Sequence, residues 1–388
     1  MAEWVMKKLK DIAEFNPRES LAKGVVAKKV AMDKLQPFCR DIPGYELEPF
    51  SGGTKFRNGD TIMARITPCL ENGKTAKVAV LDEGEVGFGS TEYIVFRAKD
   101  GIDEDFIYYL VCSPLVREPA IKSMVGSSGR QRVQTDVVQN LEIMVPDYEE
   151  QKQISGILKS LDDKIVVNTE INKNLLEQAQ SIFTQEFLML DRIPDGWQES
   201  SLLGIADYLN GLAMQKYRPK DDEQGLPVIK IKELRQGSCD FNSELCSPSI
   251  KPEYIVHDGD VIFSWSGSLL VDLWCGGTCG LNQHLFKVTS STYDKWFYYA
   301  WTNHHLQKFA AIAADMATTM GHIKREELSK AEVLTPSQSD YDRIGGLLAP
   351  LYDLVIANRI VNRKLASLRD ELLPQLMSGQ LDVSEVSL

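Results

Sequence analysis

Two rhythms of apolar positions alternate along this chain, and each occurs twice. Short apolar runs bounded by Gly, Pro, Asn and Asp come first. Thr61–Arg65, Thr75–Leu81, Glu92–Arg97 and Leu141–Val145 read as strands. Asp105–Cys112 and Lys295–Lys308 read as short helices. A longer period then takes over. Ile344, Leu347, Leu351, Leu354, Asn358, Val361, Leu365, Leu368 and Leu372 step by three and four, a heptad seam with one polar member. Ile154, Ile157, Leu161, Lys164, Asn168, Ile171, Leu175, Gln178 and Ile182 keep the same register. Asn168 and Asn358 occupy matching places.

The matching extends over the chain at an offset of about 190 residues. Trp4, Leu9, Ile12 and Ala13 correspond to Trp197, Leu202, Ile205 and Ala206. Asn58-Gly59-Asp60-Thr61-Ile62 corresponds to Asp258-Gly259-Asp260-Val261-Ile262, each a tight turn feeding a strand. Phe106-Ile107-Tyr108-Tyr109 matches Trp296-Phe297-Tyr298-Tyr299, and Pro146 matches Pro336. An ordered series of this kind indicates an internal duplication.

The expected layout is therefore a mixed domain over 1–146, a helical region over 147–190, a second mixed domain over 191–336 and a second helical region over 337–388. The fold class is α+β. A buried Asn on a seam fixes register at a cost in stability. Equivalent central residues of an antiparallel pair meet at its pseudo-two-fold axis. Helices 147–188 and 340–373 are thus expected to pack antiparallel as a coiled coil, with Asn168 against Asn358. Acidic residues Asp147, Glu149 and Glu150, and Asp340 and Asp342, suit the helix starts. Pro374 is expected to end the second helix. Forty helical residues span about 60 Å, against about 34–36 Å for one turn of DNA between half-sites.

Composition narrows the function classes. The chain is 43% hydrophobic and carries a net charge of −12, which weighs against a nucleic-acid partner. No region is a basic block, so any DNA binding must use local clusters. No long uncharged apolar run suggests a membrane span. Seven scattered cysteines fit a reduced cytoplasm. Cys239, Cys246, Cys275 and Cys279 lack the spacing of a zinc site, and no metal is expected.

Two mixed domains, each followed by a long helix, resemble the specificity subunit of type I restriction–modification enzymes. The resemblance runs over nearly the whole chain. Ile193-Pro194-Asp195-Gly196-Trp197, then Leu202, Gly204, Ile205 and Ala206, looks like that family's entry into its second domain. Leu372-Leu373-Pro374-Gln375-Leu376-Met377-Ser378-Gly379 looks like its C-terminal helix ending. Gly59-Asp60-Thr61-Ile62 and Gly259-Asp260-Val261-Ile262 look like its mid-domain turn and strand. The resemblance implies two target recognition domains separated by two long antiparallel helices. Each domain would read half of a bipartite, asymmetric site. The helices would dock two modification subunits that methylate adenine with S-adenosylmethionine, and restriction subunits would add ATP- and Mg2+-dependent cleavage. No cofactor is expected in this chain. A different reading of the same pattern is a duplicated coiled-coil scaffold without a DNA role.

Catalytic motifs are missing. The Asn/Asp-Pro-Pro-Tyr/Phe loop that holds a flipped adenine is absent, the nearest string being Asn16-Pro17-Arg18. No Gly-x4-Gly-Lys-Ser/Thr phosphate loop occurs. Pro146-Asp147 with Glu150-Gln151-Lys152 has the letters of a nuclease site but too tight a spacing, and a helix start explains its acids.

DNA contacts need cationic and amide side chains on loops. Ser127, Ser128, Arg130, Gln131 and Arg132, in the flexible-looking stretch 126–132, are the leading candidates, with Arg130 expected to read a base. Thr318, Thr319, His322 and Lys324 are their counterparts in the second copy. Further candidates are Arg65, Thr67, Asn72, Lys74 and the Ser90-Thr91-Glu92 turn in the first domain. Lys230, Lys232, Ser264, Ser266, Asn282, Gln283 and His284 complete the set in the second.

Overall fold

A computed structural model describes residues 4–127, 129–315 and 323–386. Its strands repeat one for one, while α7 has no helix opposite it in the first copy and α8 stands where α2 and α3 do. The first copy runs β1 (Val5–Lys8), α1 (Leu9–Ile12), β2 (Ala13–Phe15), β3 (Val26–Val30), β4 (Glu46–Pro49), β5 (Thr54–Phe56), β6 (Thr61–Ala64) and β7 (Thr75–Lys77). It continues with β8 (Gly87–Gly89), β9 (Tyr93–Ala98), α2 (Glu104–Cys112), α3 (Pro114–Lys122), α4 (Thr135–Gln139), β10 (Glu142–Val145) and α5 (Tyr148–Phe183). The second copy runs β11 (Gln198–Ser201), α6 (Leu202–Ile205), β12 (Asp207–Asn210), β13 (Leu226–Ile229), α7 (Ile231–Gln236), β14 (Leu245–Cys246), β15 (Ile255–Val256) and β16 (Val261–Ser264). Then come β17 (Leu270–Leu273), β18 (Cys279–Leu281), β19 (Leu285–Thr289), α8 (Lys295–Asp315), α9 (Arg325–Ser329), β20 (Glu332–Thr335) and α10 (Gln338–Met377).

Sheet order repeats as well. The order β2-β9-β6-β7 recurs as β12-β19-β16-β17, and β4-β3-β8-β5 recurs as β14-β13-β18-β15. The β3–β8 pairing is parallel, as is β13–β18. The β5–β6 turn shows why the sequence repeats there. Gly59 and Gly259 sit at φ +89° and +86°, a region that favours glycine. Asp60 and Asp260 each accept a backbone N–H from three residues earlier, Arg57 and His257, at 2.8 Å. The same two carboxylates pair with basic residues of the adjacent strands, Arg97 on β9 and Lys287 on β19, at positions that do not correspond.

The chain divides into two compact units, residues 1–165 with 365–388, and residues 166–364. In the first unit the start of α5 (Ile154, Leu158) and the end of α10 (Leu373, Leu376, Met377) join one core with Phe106, Tyr109 and Val133. In the second, the start of α10 (Ile344, Leu348, Tyr352) and the end of α5 (Ala179, Phe183, Phe187) join the core of Phe263, Phe297 and Trp301. Phe187 lies in a short π-helical turn, Thr184–Leu188, that ends α5. Each helix therefore supplies its first turns to one core and its last turns to the other.

The two helices pair antiparallel, as expected, but in a shifted register. Asn168 Nδ2 donates to Asn362 Oδ1 at 2.7 Å, and Asn358 Nδ2 donates to Asn172 Oδ1 at 2.9 Å. Asn168 thus meets the asparagine one turn beyond Asn358, and Asn358 the one beyond Asn168. The expected Asn168–Asn358 contact is replaced by two equivalent pairs. Antiparallel helices related by a two-fold axis permit either arrangement, and the asparagines at 172 and 362 select this one.

The heptad seam also divides. Ile344 is buried, but Leu347, Leu354, Val361 and Leu368 are 37–47% exposed. Leu348, Tyr352 and Val355 take the buried positions instead, because the helix packs on its own domain as well as on its partner helix. By length and composition alone α10 is apolar enough to cross a membrane; a packed face and an exposed apolar stripe together account for that. Pro374 does not end α10, which continues to Met377. Its fixed φ is helical, and burial of Leu376 and Met377 holds the last turn. Gly379, at φ +70°, is the actual stop.

At one equivalent site the two units use different chemistry. Tyr109 donates to Asp162 at 2.7 Å, and Arg369 closes on Asp162 at 2.6 Å, both deeply buried. The matching Tyr299 instead packs its ring edge-on against Tyr352, centroids 5.0 Å apart. Removing one partner of a buried ion pair strands a charge. Arg369→Ala should therefore destabilise the first unit by about 3–5 kcal/mol in denaturant unfolding; a loss under about 1 kcal/mol would contradict this. A chain ending at Lys364 should likewise unfold its first unit more easily, since it lacks Leu373, Leu376 and Met377. Unchanged unfolding of residues 4–165, followed by hydrogen exchange, would refute their place in that core.

Candidate nucleic-acid interface

Three segments of the first domain converge where β6 ends. Residues 65–67 leave the strand between the β8–β9 turn and a hairpin over 125–132. The Arg65 N–H donates to the Glu92 carbonyl at 2.9 Å, Val133 N–H to the Arg65 carbonyl at 2.9 Å, and Thr67 N–H to the Gln131 carbonyl at 3.0 Å. The described residues of the stretch expected to be flexible, 126–127 and 129–132, are tied together by backbone bonds. Val125 and Arg132 exchange backbone bonds at 3.0 and 2.9 Å, and Arg130 N–H reaches the Ser127 carbonyl at 3.0 Å. Gly126 makes this possible. It sits at φ +137°, and a Cβ there would fall 2.9 Å from the Arg130 carbonyl oxygen.

The side chains of this cluster have distinct roles. Arg132 grips Glu92 through two donors. Nε lies 3.0 Å from both carboxylate oxygens and Nη2 lies 2.7 Å from Oε1. That hydrogen bond, with the charges of Arg132 and Arg65, holds the Glu92 carboxyl below its ordinary range. Arg65 Nη2 donates to the Val133 carbonyl at 3.3 Å, while its buried Nε finds no acceptor among the described residues. Ser90 Oγ accepts the Glu92 N–H at 3.1 Å and shapes the β8–β9 turn. Thr67 donates to the Met124 sulfur at 3.6 Å. Thr91, Ser127 and Arg130 are exposed, and Gln131 is half-buried. Asn72 and Lys74 lie farther along the β6–β7 connection, where Lys74 Nζ donates to the Met32 carbonyl at 2.8 Å. Ser128 lies outside the described residues.

The second domain repeats one backbone bond and one turn cap of this cluster. Ile323 N–H donates to the Trp265 carbonyl at 3.0 Å, the counterpart of Val133 to Arg65. The β18–β19 turn, Asn282-Gln283-His284, stands where Ser90-Thr91-Glu92 stands. His284 N–H reaches Asn282 Oδ1 at 3.2 Å, as Glu92 N–H reaches Ser90 Oγ. The side chains differ throughout. Trp265 replaces Arg65 and donates its indole N–H to Asn210 at 3.0 Å. Ser266 Oγ lies 3.2 Å from His284 Nδ1. Thr318, Thr319 and His322 lie outside the described residues, and Lys324 is exposed just before α9.

Several second-domain candidates have internal duties. Ser264 is fully buried and donates to the Ser266 carbonyl at 3.2 Å. Ser266 and Asn282 are 2% and 4% exposed, so their polar atoms shape the turn rather than face solvent. Lys230 is paired with Glu244 at 2.5 Å and Lys232 with Asp240 at 2.9 Å. Gln283 and His284 are half-buried and Lys324 exposed; these keep polar surface on this side.

Sequence reading included Glu92 only as the last residue of the Ser90-Thr91-Glu92 turn and left out Trp265. Aligning the glycine-containing strands β8 and β18 rather than the 190-residue offset brings 92 against 284. Counting from the ends of β6 and β16 brings 65 against 265.

Known proteins give the same two-copy division. Residues 1–177 and 194–365 match the family model described as type I restriction modification DNA specificity domain. The MjaIX specificity subunit of Methanocaldococcus jannaschii is 25% identical over 311 residues, covering 74% of this chain and 71% of that protein. The HindI specificity subunit of Haemophilus influenzae is 19% identical, covering 88% of this chain and 89% of the relative. Among solved structures, the type I restriction–modification S subunit from M. genitalium shares the fold, with a TM-score of 0.55 at 12% identity over 97% of this chain and 96% of its own. With both copies of the domain matched by one family model, the chain belongs to the type I restriction modification DNA specificity domain family.

Proposed function

We propose that the two convergent surfaces of this specificity subunit read the two halves of a bipartite, asymmetric DNA sequence. One observation carries the reading. The backbone bond from Val133 to Arg65 at the β6 exit recurs from Ile323 to Trp265, and the Ser90 cap on the Glu92 N–H recurs as Asn282 on the His284 N–H, while the side chains presented differ. A duplicated frame with diverged side chains suits two readers of unlike sequences.

In this reading the chain catalyses nothing. S-adenosylmethionine, ATP and Mg2+ belong to partner subunits, and the assembly works in the cytoplasm. Two modification subunits dock on the helices. The exposed Leu347, Leu354 and Val361, spaced one heptad apart on α10, are suited to such a contact. With a net charge of −12, phosphate binding in this scheme uses local basic residues of this chain together with a partner's cationic surface.

The exposed Arg130 is a phosphate contact in this scheme rather than a base reader. Arg130→Ala should weaken binding evenly across DNA sequences and lower the slope of log affinity against log salt by about 1. Loss of preference at a single base pair would contradict that role. The overall reading is tested by a methylome. The chain is expressed with its neighbouring modification subunit in a host lacking N6-methyladenine, and modified adenines are mapped. One bipartite motif with a fixed gap, absent without this chain, is expected. A stable complex that methylates no defined motif would defeat the proposal.

A further inference from the structure

We propose that Arg132 is the base-reading side chain of the first domain, that its target is a guanine, and that Glu92 is its positioning residue. This inference rests on the reading just given and makes it specific.

Base recognition differs from phosphate attraction in what it asks of a side chain. A phosphate accepts a mobile cation from many directions. A base edge needs two donors at fixed positions, and ordering a long side chain on binding costs conformational entropy. Arg132 is already ordered. Its backbone pairs with Val125 on one side and bridges Ile66 on the other. Its guanidinium is held by the Glu92 carboxylate, which is itself set by the Ser90-capped turn.

A guanidinium carries five N–H donors. The grip on Glu92 engages Nε–H and one Nη2–H. Both Nη1 hydrogens and the second Nη2 hydrogen have no acceptor among the described residues. Those donors form the end-on fork that matches O6 and N7 of guanine. The Arg132 side chain stays 46% exposed while that of Glu92 is 23% exposed, so the arginine is the more reachable member of the pair.

Charge supports the same division of labour. The hydrogen bond from Arg132 lowers the Glu92 carboxyl from its ordinary range and so favours its ionised form. The pair is then neutral as a whole and attracts phosphate weakly. What it retains is a fixed pattern of donors, which discriminates rather than merely attracts. Arg130, two residues away, is exposed. The second domain has His284 at the position of Glu92, so this pair is not repeated there, as different half-sites require.

Methylomes of the assembled complex carrying Arg132→Lys or Glu92→Gln test the inference. Arg132→Lys keeps the charge and loses the fork. It should cost about tenfold or more in preference for guanine at one position of one half-site, with the other half and the gap unchanged. Glu92→Gln should relax the same position by a smaller factor, with melting close to wild type. An unchanged motif in Glu92→Gln together with an unchanged or unfolded Arg132→Lys overturns the inference. So does an even fall in methylation without altered preference, which marks the pair as a strut. A wild-type complex without a bipartite motif would instead defeat the proposed function itself.

Discussion

The long helices cannot satisfy their apolar side chains within either unit alone. Helix α5 begins in the first core with Ile154 and Leu158 and finishes in the second with Phe183 and Phe187. Helix α10 does the reverse, from Ile344 and Leu348 to Leu373 and Met377. Each of these side chains contributes about 1.5–3 kcal/mol through burial. Neither unit has a complete core without both helices, so the coupling of distant sequence segments is a condition of folding. The paired asparagines add register to this hydrophobic requirement. Asn168 with Asn362, and Asn172 with Asn358, leave no buried amide unpartnered only when the helices align in one way.

Duplication supplies two copies of one frame, and divergence has acted on what each copy presents. Glycines at positive φ, the Asp60 and Asp260 turns and the capped 90–92 and 282–284 turns are retained because the backbone requires them. Side chains at the end of that frame are free to differ. Arg65 and Glu92 give way to Trp265 and His284, and the buried Asp162–Arg369 pair beside Tyr109 gives way to Tyr352 beside Tyr299. The first exchange alters what a ligand meets; the second alters only how a core closes.

Much of this was legible in the sequence, for physical reasons. The duplication, the strand-and-turn punctuation and the antiparallel helix pair all depend on local pattern, and pattern is what a sequence displays. The register of the asparagines was misjudged because a two-fold axis allows equivalent residues either to meet or to cross. Choosing between these depends on Asn172 and Asn362, which sit off the simplest seam. Leu347, Leu354 and Val361 were expected inside because heptad counting assigns one apolar face, whereas α10 has two. Pro374 was expected to stop a helix whose end is fixed instead by burial and by Gly379. Among the site candidates, composition picked out cationic and amide residues near turns. It could not tell Ser264, buried beneath the turn, from Gln283 beside it, nor see that Glu92 orients Arg132. Those distinctions arise from which segments converge in space.

The most direct measurement of the central claim is hydrogen exchange of the full chain in complex with its modification subunits, with and without a duplex carrying the mapped motif. The account predicts slowed exchange in both domains at equivalent places, residues 65–67, 90–92 and 125–133 in the first and 265–266 and 282–284 in the second. Protection confined to one domain, or lying away from both clusters, would contradict the account.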